Sequence, residues 1–143
     1  MQPLSDNQEL REAAERIYRE WDQALAAKSV EDALALYAPD ATIESPLVCY
    51  LLRSERGIVR GHDEMRPFLA RVFAAQPAER RHFRTGFFTD GHTLMWEYPR
   101  AVPDGEQMDF AEVMELESGL IQRHRVYWGW FGVRTLSTGT HRR

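Results

Sequence analysis

"MDFAEVMELESGLIQRHRVYWGW", residues 108–130, alternates along both of its halves. Successive side chains of an extended chain point to opposite sides, so Met108, Phe110, Glu112, Met114 and Leu116 share one face of a strand. Beyond Glu117-Ser118-Gly119, a second strand places Gln122, His124, Val126, Trp128 and Trp130 on one face. Glu-Ser-Gly between two alternating runs is a hairpin signal. A hairpin centred on Ser118 sets Glu112 directly opposite His124, with Cβ atoms about 4.5–5.5 Å apart. The opposite face carries Asp109, Glu115, Arg123 and Arg125 and reads as partly solvated. The expectation is a glutamate and a histidine, with Gln122 beside them, facing inward among apolar neighbours. A one-residue slip would turn the whole set outward.

Working outward, residues Asn7 to about Lys28 show Leu10, Ala14, Ile17, Trp21 and Leu25 at helical spacing. Ser29 and Asp32 form a capping pattern for a second helix, Val30 to Tyr37, which Pro39-Asp40 should stop. "ATIES" reads as a strand ended by Pro46, and Leu47 to Arg60 as a long flap holding a short helix. A third helix follows Gly61-His62-Asp63, with Met65, Phe68, Leu69, Val72 and Phe73 as its buried stripe and Pro67 in its first turn. Strands are expected at about Arg81–Thr89, Thr93–Arg100, Gln107–Glu117 and Leu120–Val133, with turns at Asp90-Gly91 and Pro103-Asp104-Gly105. Helices first and antiparallel strands after define an α+β fold with helices on one face of a sheet. The chain reads as a single domain over residues 1–136, with residues 137–143 as a flexible tail.

A length of 143 residues suits one domain with a sizeable core. The net charge of -4, without a compensating basic stripe, argues against a nucleic-acid partner. No apolar run approaches a membrane span of about 20 residues. The N-terminal stretch has no basic-then-apolar signal, and the single Cys49 fits a reducing compartment, so a cytoplasmic location is expected. No CxxC, HExxH or Gly-rich phosphate loop occurs, so neither a metal nor an organic cofactor is expected.

The element order, together with "ALALYAPDATIESP" (Ala33–Pro46), "RGHDEMRPF" (Arg60–Phe68) and "SGLIQRHRVYW" (Ser118–Trp128), resembles the nuclear transport factor 2-like superfamily. That group includes SnoaL-like polyketide cyclases and ketosteroid isomerase. The resemblance implies a cone-shaped, strongly curved antiparallel or mixed sheet wrapped around about three N-terminal helices, with an open pocket at its wide end. It also implies a homodimer through the outer sheet face. The general-base aspartate of the isomerase is matched here by Ser45, whose hydroxyl has no useful basicity near neutral pH, so isomerase activity on ketosteroids is not expected. The isomerase's oxyanion tyrosine is matched by Trp21, a donor that cannot act as an acid, and its protonated aspartate by Glu112. The Asp-Arg-Asp set of limonene epoxide hydrolase has no inward-facing counterpart.

Glu112 and His124 are therefore the candidate proton-transfer pair, able to act as general acid and base. The plainer reading of the same pair is a polar bridge that fixes strand register. Trp21, Ser45, Tyr50, Trp96 and Trp128 are the candidate ligand contacts, with Trp21 or Tyr50 as hydrogen-bond donor. Asp40 reads as a turn residue, and His62-Asp63-Glu64 as an acidic helix start rather than a metal site. The apolar half of the flap, Val48 to Leu52, would close over a pocket or meet a second subunit. The expected function is binding of a small apolar cyclic molecule, with acid–base chemistry of isomerase, dehydratase or cyclase type. The alternative is a non-catalytic ligand-binding or assembly module of the same fold.

Overall fold

The structure, a computed structural model, describes residues 4–76, 84, 86–99 and 109–138. Among them the chain forms α1 (Leu4–Ala27), α2 (Val30–Leu34), β1 (Tyr37–Glu44), α3 (Pro46–Leu52), β2 (Ile58–Arg60) and α4 (Gly61–Ala74). These are followed by β3 (Phe87–Thr89), β4 (Thr93–Tyr98), β5 (Phe110–Glu117), β6 (Leu120–Trp128) and α5 (Trp130–Thr138). The expected turn at Pro103-Asp104-Gly105, the start of the strand at Gln107, His82 and most of the basic run 79–84 lie outside the described residues.

The six strands make one mixed sheet in the order β2-β1-β6-β5-β4-β3, open at both ends, as the α+β expectation required. All neighbours are antiparallel except β1 and β6, which run parallel. The sheet curves around α1, α2 and α4, and its cone shape matches the expectation. Ala14, Ile17, Trp21 and Leu25 of α1 meet Met65, Phe68, Leu69 and Phe73 of α4 in one buried cluster, which the sheet closes with Ile43, Leu94, Trp96, Met114 and Ile121. In β4 the alternation is strict: Leu94, Trp96 and Tyr98 are buried, while Met95 and Glu97 face out. No helix among the described residues is long and apolar enough to cross a membrane.

Several expectations need correction. Helix α2 ends at Leu34, and Pro39 and Asp40 lie within β1 rather than stopping a helix. A proline is tolerated there because the β1–β6 ladder is irregular between Tyr37 and Thr42. Pro46 opens α3 at its first position instead of merely ending a strand. The flap is therefore a helix and a short strand, and Val48 is buried while Leu51 and Leu52 pack against the same core. Pro67 falls in the second turn of α4, not the first. The last strand ends at Trp128, and Trp130 begins α5 with 75% of its surface exposed, so it does not share the inward face.

The hairpin register also differs. Ser118 (φ 52) and Gly119 (φ 77) form a two-residue loop with both residues left-handed, the pattern of a type I′ turn. Glu117 pairs with Leu120 and Leu116 with Ile121, but Glu115 pairs with Arg123, so Gln122 is an extra residue. Met114, not Glu112, lies opposite His124, and Glu112 lies opposite Val126. Ile121 is fully buried, whereas the Gln122 side chain sits outside and donates to Asp40 Oδ1 at 3.0 Å. That bond joins the irregular part of β1 to the bulge of β6.

The β3–β4 turn is held by Asp90 Oδ1, which accepts from the backbone N–H groups of His92 and Thr93 at 2.9 and 2.8 Å. Gly91 follows with φ 95, and a Cβ there would lie 2.9 Å from Leu10 Cβ of α1. Gly91→Ala is expected to lower stability by about 1–3 kcal/mol in urea unfolding, from a strained backbone and a clash with no flexible end to move. Gly86→Ala, whose Cβ would meet nothing within 4 Å, is expected to unfold like the parent.

Candidate functional site

A cavity of about 160 Å³ opens between α1, α4 and the inner face of the sheet. Its walls are apolar over most of their extent: Leu25 from α1, Phe68, Leu69 and Val72 from α4, Phe110 from β5 and Val126 from β6. Glu112 and His124 stand in this wall, each only 3% exposed. Their inward facing agrees with the sequence reading although their opposition does not. Glu112 lies two residues along from the partner of His124, so the carboxyl reaches diagonally across the ladder.

His124 Nε2 and Glu112 Oε1 are 2.9 Å apart. On the other side of the ring, Nδ1 lies 2.7 Å from the Tyr37 hydroxyl, and the Tyr37 oxygen accepts from Trp21 Nε1 at 3.0 Å. The imidazole is held between two rings, stacked near Tyr37 (interplanar 24°) and edge-on to Trp21 (88°). Both ring nitrogens of His124 are therefore engaged. Glu112 Oε2 is different: it is buried and has no hydrogen-bond partner among the described residues. Its place on the wall of a mostly apolar cavity makes Glu112 a functional candidate.

The other sequence candidates divide. Trp21, Ser45 and Trp128 line the cavity; Tyr50 and Trp96 do not. Trp96 is 1% exposed and packs behind the wall, opposite Glu112 in the ladder and against Tyr18 and Trp21. Tyr50 is half-buried on α3. Trp21 cannot serve as ligand donor, because its single N–H is engaged by Tyr37. The buried Trp128 Nε1 has no partner among the described residues and is the available indole donor. The Trp128 ring is backed by α5, where a Cβ on Gly132 would overlap it. Ser45 is 3% exposed and caps α3, its Oγ accepting from Leu47 N–H at 3.2 Å. Asp40, expected in a turn, is a strand residue whose carboxyl the Gln122 amide holds below the ordinary range. Among the described residues no group of three or more His, Cys, Asp or Glu side chains is placed to hold a metal ion.

Sequence reasoning missed Tyr37, which it assigned to a helix end, and Tyr98 on the cavity wall. Tyr98 was legible, since it continues the Leu94–Trp96 alternation. Tyr37 carried no such signal, because the ladder irregularity interrupts the alternation between it and Ile43.

The curved α+β sheet and its acid-bearing apolar cavity define the class of protein. The chain belongs to the SnoaL-like domain family, whose model matches residues 18–124. A comparison with curated protein sequences finds no match. Among solved structures, a SnoaL-like protein of unknown function from Burkholderia thailandensis is similar at TM-score 0.68 and 16% identity, over 82% of this chain and 94% of that one. An NTF2-like protein of unknown function from Burkholderia pseudomallei is similar at TM-score 0.66 and 20% identity, over 87% and 96%. A putative ketosteroid isomerase from Kribbella flavida is similar at TM-score 0.60 and 19% identity, over 82% and 78%. At these identities the likeness shows the fold alone.

Burial pushes the phenols of Tyr37 and Tyr98 well above their ordinary value, and the Glu112 charge adds to this for both. A raised folded-state pKa stabilises the fold below the unfolded value of about 10 and is lost as pH climbs past it. Stability is therefore expected to fall with pH above about 10. Phenolate absorbance during an alkaline titration should show two of the five tyrosines silent until the fold is lost. Ionisation of all five before any loss of far-UV dichroism would contradict this assignment.

Proposed function

We propose that the cavity binds a small apolar molecule containing one ring, and that Glu112 Oε2 exchanges a proton with it in acid–base chemistry of isomerase, dehydratase or cyclase type. The supporting observation is a carboxyl side chain, Glu112, in the wall of a mostly apolar cavity, with one oxygen unpaired among the described residues. The cavity's size supports a one-ring ligand, because an apolar cavity of about 150 Å³ accommodates benzene. A four-ring steroid would not fit inside it, in keeping with Ser45 at the position of the isomerase base. In the simplest step Oε2 takes a proton from the carbon beside a carbonyl, the C–H electron pair enters the enolate, and the proton returns to that carbon or, in a β,γ-enone, to the γ carbon of the dienolate as the double bond shifts. His124 holds the other carboxyl oxygen, and Trp128 Nε1 supplies a donor for the ligand's oxygen.

A titration with single-ring ketones and enones, followed by tryptophan fluorescence, is expected to show saturable quenching from Trp21 and Trp128. In deuterated water the same ketones should take up deuterium next to the carbonyl. Glu112→Gln should slow that uptake by about 10²–10⁴-fold, the usual contribution of a general base, with quenching retained. Uptake at the parent rate would end the proton-transfer reading. Saturable binding without uptake in either protein would favour the non-catalytic binding module.

Phe88, Met95 and Val113 are adjacent in the ladder, and Phe88 and Met95 are 70% and 41% exposed on the outer sheet face. This apolar strip supports a homodimer through that face. Sedimentation should give twice the chain mass, and Phe88→Glu should halve it; a monomeric parent would refute the dimer.

A further inference from the structure

We propose that Tyr37 is the positioning residue of this site: by donating to Nδ1 it holds His124 as the Nε2–H tautomer beside the Glu112 carboxylate, and it confines proton exchange with a ligand to Glu112 Oε2. The protons along one buried chain of bonds can be counted. Trp21 Nε1 can only donate, so the Tyr37 oxygen accepts from it at 3.0 Å. Tyr37 has one proton of its own and lies 2.7 Å from His124 Nδ1. A proton on Nδ1 would force the Tyr37 oxygen to accept twice. The Tyr37 hydroxyl proton would then be buried with no acceptor recorded among the described residues. Donation from Tyr37 to a bare Nδ1 satisfies both groups. A neutral imidazole must then hold its proton on Nε2, which donates to Glu112 Oε1 at 2.9 Å.

Every polar atom of the four side chains is then paired except Glu112 Oε2. Both nitrogens of His124 are committed, so the histidine aims the carboxyl and does not itself touch a ligand proton. Burial keeps the Tyr37 phenol protonated, as the count requires. The residue is well anchored, since its backbone oxygen lies 3.0 Å from His62 Nε2 and it pairs with Ile121 of β6. Trp21 in turn fixes the direction of the chain from its indole end. The tautomer assignment stands independently of any reaction; the confinement to Oε2 rests on the proton-transfer reading above.

Long-range proton–nitrogen correlation NMR on ¹⁵N-labelled protein tests the lock without a substrate. The His124 ring signals are identified by their loss in His124→Gln. At neutral pH the parent is expected to show a bare Nδ1 and a protonated Nε2. In Tyr37→Phe the Nε2 proton should stay directed at the Glu112 carboxylate, while the Nδ1 signal shifts markedly because it loses its hydrogen bond. A protonated Nδ1 in the parent, or an unchanged Nδ1 shift in Tyr37→Phe, would overturn the proposal. Should Tyr37→Phe not fold, the parent alone decides: the Tyr37 hydroxyl proton should exchange slowly and couple to Nδ1, and its absence overturns the lock. Unchanged deuterium uptake in Glu112→Gln with the tautomer lock intact would reject the proton-transfer reading alone, so the two failures are distinguishable.

Discussion

The site depends on a single extra residue in β6. With the two-residue Ser118-Gly119 loop and an unbroken ladder, the pairing of Glu117 with Leu120 would carry His124 opposite Val113, on the outer face. The bulge at Gln122 restores the parity and turns His124 inward, onto the face of Glu112 and Met114. The hydrogen bond from Gln122 to Asp40 holds that bulge against the irregular part of β1, which also carries Tyr37. One local departure from regular pairing thus brings together the strand of the imidazole, the strand of the carboxyl and the strand of the phenol.

Placing this polar chain in the core has a cost that fixes its composition. Opposite unit charges 4 Å apart attract by about 4 kcal/mol at an effective dielectric of 20, while burying each ion costs several kcal/mol. A charged histidine–glutamate pair alone would not recover that cost. Tyr37 and Trp21 add hydrogen bonds of about 0.5–1.5 kcal/mol net each and leave no ring nitrogen unpaired. Among the described residues Glu112 Oε2 is the one atom of this chain of bonds without a partner.

The scaffold does not dictate these side chains. Curved sheets of this family appear in solved proteins whose functions are unknown and in a putative ketosteroid isomerase, and function resides in the side chains that a fold presents. Here the first strand is followed by Ser45, a helix cap, and the acidic group comes from the middle of β5. The cavity is also modest, because Trp96, Tyr98, Phe68 and Trp21 fill or border much of the interior between helix and sheet.

The sequence by itself determined the α+β class, the buried stripes of α1 and α4, and the inward face of β4, because hydrophobic periodicity is set locally by 3.6- and 2-residue repeats. It placed Glu112 and His124 in the wall as well, though through a register that was two residues off; the loop shift and the bulge happened to cancel in facing. Only the tertiary structure decided which atoms meet. Tyr37 joins His124 from another strand, 87 residues away in sequence, and Trp21 reaches Tyr37 from α1. Periodicity says which side of an element is buried. It does not say which buried side chains end within hydrogen-bond distance, because that depends on bulges and on how separate elements settle against one another.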